Sequence, residues 1–140
     1  MTQNEKELLI KDVTARLPYG VKASVYSYWN EEYVDDCVVG VDIEEDDFLC
    51  STIPGVRCEI ALVKPYLFPF SSMTERQKDE IRNRFCYEWE TDEDVSDLWK
   101  HELEFGYALE FIQWCYENHL DIGGLIPRGL AIDATNKNIY

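Results

Sequence analysis

The chain has 140 residues, 46% of them hydrophobic and 14% aromatic, with 28 acidic side chains against 13 basic ones and a net charge of −15. Length and apolar content fit one globular domain or two closely fused halves and exclude a disordered chain. The charge repels nucleic-acid phosphates, so direct binding to DNA or RNA is not expected.

No apolar run approaches the ~20 residues that cross a bilayer. The N-terminus MTQNEKELLIKD lacks the positive region of a secretory signal, so a soluble cytoplasmic protein without a membrane role is expected. Cys37, Cys50, Cys58, Cys86 and Cys115 are odd in number and scattered, and the only histidines are His101 and His119. This pattern predicts reduced, mostly buried thiols rather than a disulfide framework or a zinc site.

Thr2 and Glu5 have capping-box spacing and open a helix over 3–17, in which Leu9, Val13 and Leu17 recur four apart. Pro18 ends it, and Gly20 permits the next turn. Alternation then predicts strands over 21–29, 33–44, 48–53 and 56–63, parted by turns at Asn30-Glu31-Glu32, Glu44 to Asp47 and Pro54-Gly55. Gly40 marks a bulge or a bend. Residues 1–70 thus read as a helix over a small, curled antiparallel sheet, SH3-like or Sm-like in appearance.

Lys64 to Phe70 is expected to be extended and irregular, because Pro65 and Pro69 lack donors. Its Tyr66, Leu67, Phe68 and Phe70 either pin a connection over the core or form an aromatic shelf for a peptide. Residues 71–140 read as a helical half packed against the sheet in a single compact α+β unit. Thr74 and Gln77 cap a helix over 75–88 carrying Ile81, Phe85 and Trp89, with Arg76, Lys78, Arg82 and Arg84 as local charge balance. A longer helix over 96–118 has Leu98, Phe105, Leu109, Ile112 and Tyr116 on one face, and Leu103, Tyr107, Phe111 and Trp114 on another. It should therefore be buried on two sides. Asp121 can cap a short turn through Gly123 to Ile126, and 130–132 form a brief strand or an extended tail. The tail from Asp133 is polar and loose, unless Ile139 and Tyr140 dock.

No catalytic constellation stands out: there is no Gly-rich phosphate loop, no G-x-S-x-G and no H-E-x-x-H. Asp42, Glu44 and Asp46 have a calcium-like spacing but lack the turn glycine and the distal bidentate glutamate. His119 reads as a helix-end residue favoured by the dipole rather than as a base. No catalytic residue, metal or cofactor is assigned, and the chain is not expected to be an enzyme.

LPYGVK at 17–22, VKPYLFPFSSMT at 63–74 and GLIPRGLAIDAT at 124–135 occur together in this order. In these segments the chain resembles a group of small uncharacterised proteins found in gut anaerobic bacteria, their phages and their mobile elements. The resemblance spans nearly the whole chain, and KPYL-x-P-x-SSMT is its most specific part. Members often carry a charged residue where this chain has Gly123 or Pro127, so the turn there is expected to differ. The resemblance carries no catalytic residues. It implies a phage or mobile-element setting, in which small acidic proteins often bind host proteins.

A non-enzymatic acidic interaction protein is therefore expected, an inhibitor or regulator facing a basic protein surface. The candidate contact residues are Glu31, Glu32, Asp35 and Asp36; Glu44, Glu45, Asp46 and Asp47; and Glu90, Asp92, Glu93 and Asp94. Nucleic-acid mimicry is the narrow form of this reading. The alternative is a small ligand-binding domain or enzyme with a pocket between the β and α halves.

Overall fold

The computed structural model describes residues 1–51, 57–85 and 105–140, the last segment without the side chains of 105–108. Helix α1 (Gln3–Arg16) begins with the expected capping box: Thr2 Oγ1 accepts from Glu5 N, and the Glu5 carboxylate accepts from Thr2 N. A 3-10 turn at Leu17–Tyr19 and Gly20, at φ +87°, deliver the chain into the sheet. The strands are β1 (Val21–Ser27), β2 (Glu32–Asp42), β3 (Asp47–Cys50), β4 (Arg57–Glu59), β5 (Val63–Leu67) and β6 (Ile132–Asp133).

The sheet order is β4-β3-β2-β1-β5-β6, antiparallel except for the parallel β5–β6 pair. The fold class is α+β as expected, but the sheet is mixed and six-stranded, and among the described residues no pairing closes it. It does curl. The Tyr28 hydroxyl lies 3.5 Å from Glu59 Oε1, although β2 and β3 separate β1 from β4. Gly40 sits where the β2–β3 register shifts, and a Cβ there would lie 3.2 Å from Leu49 Cδ1. A Cβ there would have to push the end of the Leu49 side chain aside by a few tenths of an ångström.

Alternate residues of β1 (Val21, Ala23 and Val25) face the core with Val38, Phe48, Cys50, Cys58, Val63 and Leu67, under Leu9 and Val13 of α1. Each fully buried large apolar side chain here contributes about 1.5–3 kcal/mol relative to exposure.

Two expectations along 56–70 are corrected. The run read as one strand over 56–63 breaks after Glu59 into a 3-10 turn, Ile60–Leu62. The segment read as irregular is β5, a strand between β1 and β6. Pro65 is tolerated there for a geometric reason. Leu67 C=O accepts from Ala134 N at 2.8 Å, and residues two apart face the same edge, so Pro65 turns its nitrogen toward β6. Pairing with β6 begins only at Tyr66, so the missing donor has no acceptor to serve.

Helices α2 (Glu75–Phe85) and α3 (Phe105–Glu117) form a second cluster from Met73, Ile81, Phe85, Phe111, Trp114, Cys115 and Leu120. The expected two-sided burial of α3 is corrected: Leu109 is exposed, Ile112 and Tyr116 are half-buried, and the buried face is Phe111, Trp114 and Cys115. Expectations for Cys86, Trp89, Leu98, His101 and Leu103 lie outside the described residues.

Leu120 N bonds Cys115 O and His119 N bonds Tyr116 O, which makes a Schellman end with His119 at φ +57°, where glycine is usual. The chain then pairs Phe68 with Leu120, buries Leu125, Leu130 and Ala131 in the first cluster, and adds β6 to the sheet. Asp121 caps the turn, accepting from Leu125 N and Ile126 N. The tail is not loose at its end. Tyr140 stacks on His119 with centroids 3.6 Å apart, and its hydroxyl accepts from Lys22 N and donates to Tyr66 O, bridging β1 and β5 just past their last pair.

Candidate functional site

Strand β2 separates two of the three acidic groups: Glu31, Glu32, Asp35 and Asp36 lie around its start, and Glu44 to Asp47 follow its end. Its 11 residues extend about 33 Å at ~3.3 Å per residue, so the groups form two separate surfaces. At the far end the β2–β3 turn is largely self-satisfied. Asp42 Oδ1 accepts from Glu44 N and Glu45 N, and Asp42 Oδ2 pairs with Arg57 at 3.1 Å. Asp46 pairs with Lys6 at 2.7 Å, and Asp47 lies in the β3–β4 ladder opposite Glu59. Glu44 and Glu45 are exposed. Asp42 and Asp46 thus spend their carboxylates on backbone and cations while Glu44 stays exposed, and among the described residues no three metal-ligating side chains converge.

The near end is different. The β1–β2 turn, in which Glu31 takes φ +54°, displays Glu31 and Glu32 beside three large aromatics: Trp29 is 84% exposed, Tyr28 64% and Tyr33 55%. Tyr26 stands opposite Tyr33 in the ladder and meets both Tyr28 and Tyr33 edge-on, at 5.2 and 5.3 Å. These edge-to-face contacts hold the two exposed rings in place.

The other acidic residues of this group are engaged. Asp35 accepts from the Tyr66 hydroxyl at 2.6 Å, and the Asp36 carboxylate accepts from Ser51 Oγ and Cys37 N. Burial and the Asp35 carboxylate together push the Tyr66 phenol above its ordinary pKa. Glu90, Asp92, Glu93 and Asp94 lie outside the described residues.

The exposed aromatics were absent from the sequence-derived site. Tyr28 and Trp29 read as the end of a strand, and only the position of the turn places them at a solvent-facing tip. The sequence also gives no sign that Cys50 and Cys58 meet, with Sγ atoms 3.2 Å apart across β3 and β4. Both thiols are buried, and burial raises both pKa values. Cys115 is likewise buried and pushed up to about 12. Cys37 is half-buried.

The dipole reading of His119 is corrected. Burial, with Arg16 and Lys22 nearby, lowers its pKa to about 4, so at neutral pH the ring is uncharged and serves as a stacking platform for Tyr140. The seam between the halves, where a pocket was one expectation, is stitched by Phe68 N to His119 O and Asp121 N to Phe68 O, both 2.8 Å. Arg16 reaches across it to Leu120 O at 2.7 Å. The chain matches no family model, no curated protein and no solved structure.

Proposed function

We propose that this chain is a non-enzymatic interaction protein that docks on a basic protein surface through the tip of its β1–β2 hairpin. One observation carries the reading: three large aromatics project into solvent beside Glu31 and Glu32, on a protein of net charge −15. Exposed aromatics of this size are costly unless they are covered, and Trp and Tyr dominate the energetics of interfaces. The surrounding carboxylates steer a basic partner and raise its rate of encounter. The sequence resemblance adds the setting, a cytoplasmic protein of phage or mobile-element type that inhibits or regulates a host factor.

The test is affinity capture from a host lysate at low and high salt, with three baits: the unaltered protein, a Trp29→Ala/Tyr33→Ala variant and a Glu44→Gln/Glu45→Gln variant. A basic partner retained at low salt, weakened at high salt and lost only with the aromatic variant is the expected result. A partner captured equally by all three baits would remove the hairpin from the interface.

A further inference from the structure

Cys50 and Cys58 are both free thiols, and Cys50 Sγ donates to Cys58 Sγ at 3.2 Å. Among the described residues no other two thiols are in contact. The ladder brings them together. Phe48 stands opposite Cys58, so Cys50, two residues along β3, faces the same side and is its diagonal neighbour. A disulfide holds its sulfurs about 2.05 Å apart, so these two must approach by about 1 Å. Strand β4 is an edge strand, paired on β3 alone, and is free to make that shift.

Burial does not seal the pair. Both thiols line a cavity of about 290 Å³ that opens beside Tyr28 and Trp29. That is roughly ten times the ~30 Å³ a water occupies in the liquid, which leaves room for an oxidant as small as hydrogen peroxide. The two sulfurs are not equivalent. Burial raises the pKa of both, but their shared hydrogen bond raises that of the donor, Cys50, further and lowers that of Cys58. The thiolate, which is the reactive form, therefore forms more readily at Cys58.

We propose that Cys50 and Cys58 are a reversible oxidation site for hydrogen peroxide, closing to a disulfide that ties edge strand β4 to β3. The Cys58 thiolate attacks one peroxide oxygen, the O–O bond breaks, hydroxide leaves, and Cys58 becomes a sulfenic acid. The Cys50 sulfur then attacks the Cys58 sulfur. The S–S bond forms, the S–O bond breaks, and the departing hydroxide takes the Cys50 proton as water. Over both steps the sulfurs lose two electrons, and two thiols and one peroxide become one disulfide and two waters. An external dithiol reverses the change by thiol–disulfide exchange.

The experiment is peptide mapping of the whole protein after hydrogen peroxide, with the remaining thiols alkylated in denaturant. Trypsin cuts after Arg57, and an aspartate-specific protease cuts before Asp42, so Cys37, Cys50 and Cys58 fall on separate peptides. The expected product is a Cys50–Cys58 linked species within one chain, lost on treatment with dithiothreitol, while the buried Cys115 stays free. Amide exchange at Phe48 and Cys58 should slow in the oxidised form. With the second sulfur removed, Cys50→Ser should trap the sulfenic acid on Cys58, and dimedone should label it several-fold more than Cys50 in Cys58→Ser. The wild-type map decides the pairing even where a variant fails to fold.

Peroxide that oxidises Cys37 while Cys50 and Cys58 stay free would overturn the site. So would a link from either one to Cys37, to Cys115 or to a second chain. Equal dimedone labelling in the two folded variants would overturn the order of attack.

Discussion

Replacing Asp12 by alanine should be among the most damaging single changes in this protein. Asp12 and Arg16, one turn apart on α1, are both almost fully buried, with side-chain exposures of 4% and 1%. Arg16 Nε and Nη2 donate to the two carboxylate oxygens at 2.6 and 3.0 Å, and Nη2 also donates to Leu120 O. Without Asp12 the guanidinium keeps one carbonyl and the ring of Tyr116, 4.9 Å from its carbon, in a site closed to water.

Removing one partner of a buried pair costs about 3–5 kcal/mol, against a total stability of about 5–15 kcal/mol for a domain. For a chain of this length that lowers Tm by roughly 10–15 °C. Asp12→Ala/Arg16→Met removes the stranded charge with its partner and should recover at least about half of the loss. Urea denaturation of the wild type, both single variants and the double variant gives the coupling energy. The reasoning is refuted if Asp12→Ala costs under about 1 kcal/mol, or if the double variant is no more stable than the single one. Because Arg16 ties α1 to the end of α3, amide exchange at 118–126 should also rise in Asp12→Ala.

Tyr140→Phe keeps the stack on His119 but loses the hydroxyl between Lys22 N and Tyr66 O, at a cost of about 1–3 kcal/mol in a thermal melt. A Tm unchanged by this substitution would mean that the tail is not clamped. The His119 pKa is depressed from 6.5 to about 4 on folding, so the unfolded chain binds the extra proton between those values. Its contribution is complete above pH ~6.5 and is lost as pH falls toward 4. The slope of stability against pH in that window should flatten in His119→Gln, and an imidazole resonance titrating near 6.5 in the folded protein would contradict it. Iodoacetamide at pH 8 should modify Cys37 well before Cys50, Cys58 and Cys115, whose thiols are buried and raised in pKa, as peptide mass spectrometry can read; first labelling at Cys50 would contradict the packing.

The local patterns were legible wherever neighbours in sequence decide the outcome. Thr2 and Glu5 cap α1, Gly40 bulges β2, and the alternation of Val21, Ala23 and Val25 sets the buried face of β1. The same local reading misjudged Pro65, because a proline in a strand is tolerated or not according to which neighbour its nitrogen faces, and that neighbour comes from residues 132–133. It also misjudged Leu109, since a helix with apolar residues all round does not say which face meets α2.

For the candidate site, sequence by itself determined the excess of acid and the presence of a turn before β2, which ends at Glu31. Only tertiary structure decided that Asp35 and Asp36 are engaged by Tyr66 and Ser51, and that the acidic groups of β2 stand at opposite ends of a strand. It also decided that Tyr28, Trp29 and Tyr33 are the side chains left facing water. The physical reason is that charge and hydrophobicity belong to residues, whereas exposure and hydrogen-bond partners belong to pairs that folding brings together from distant parts of the chain.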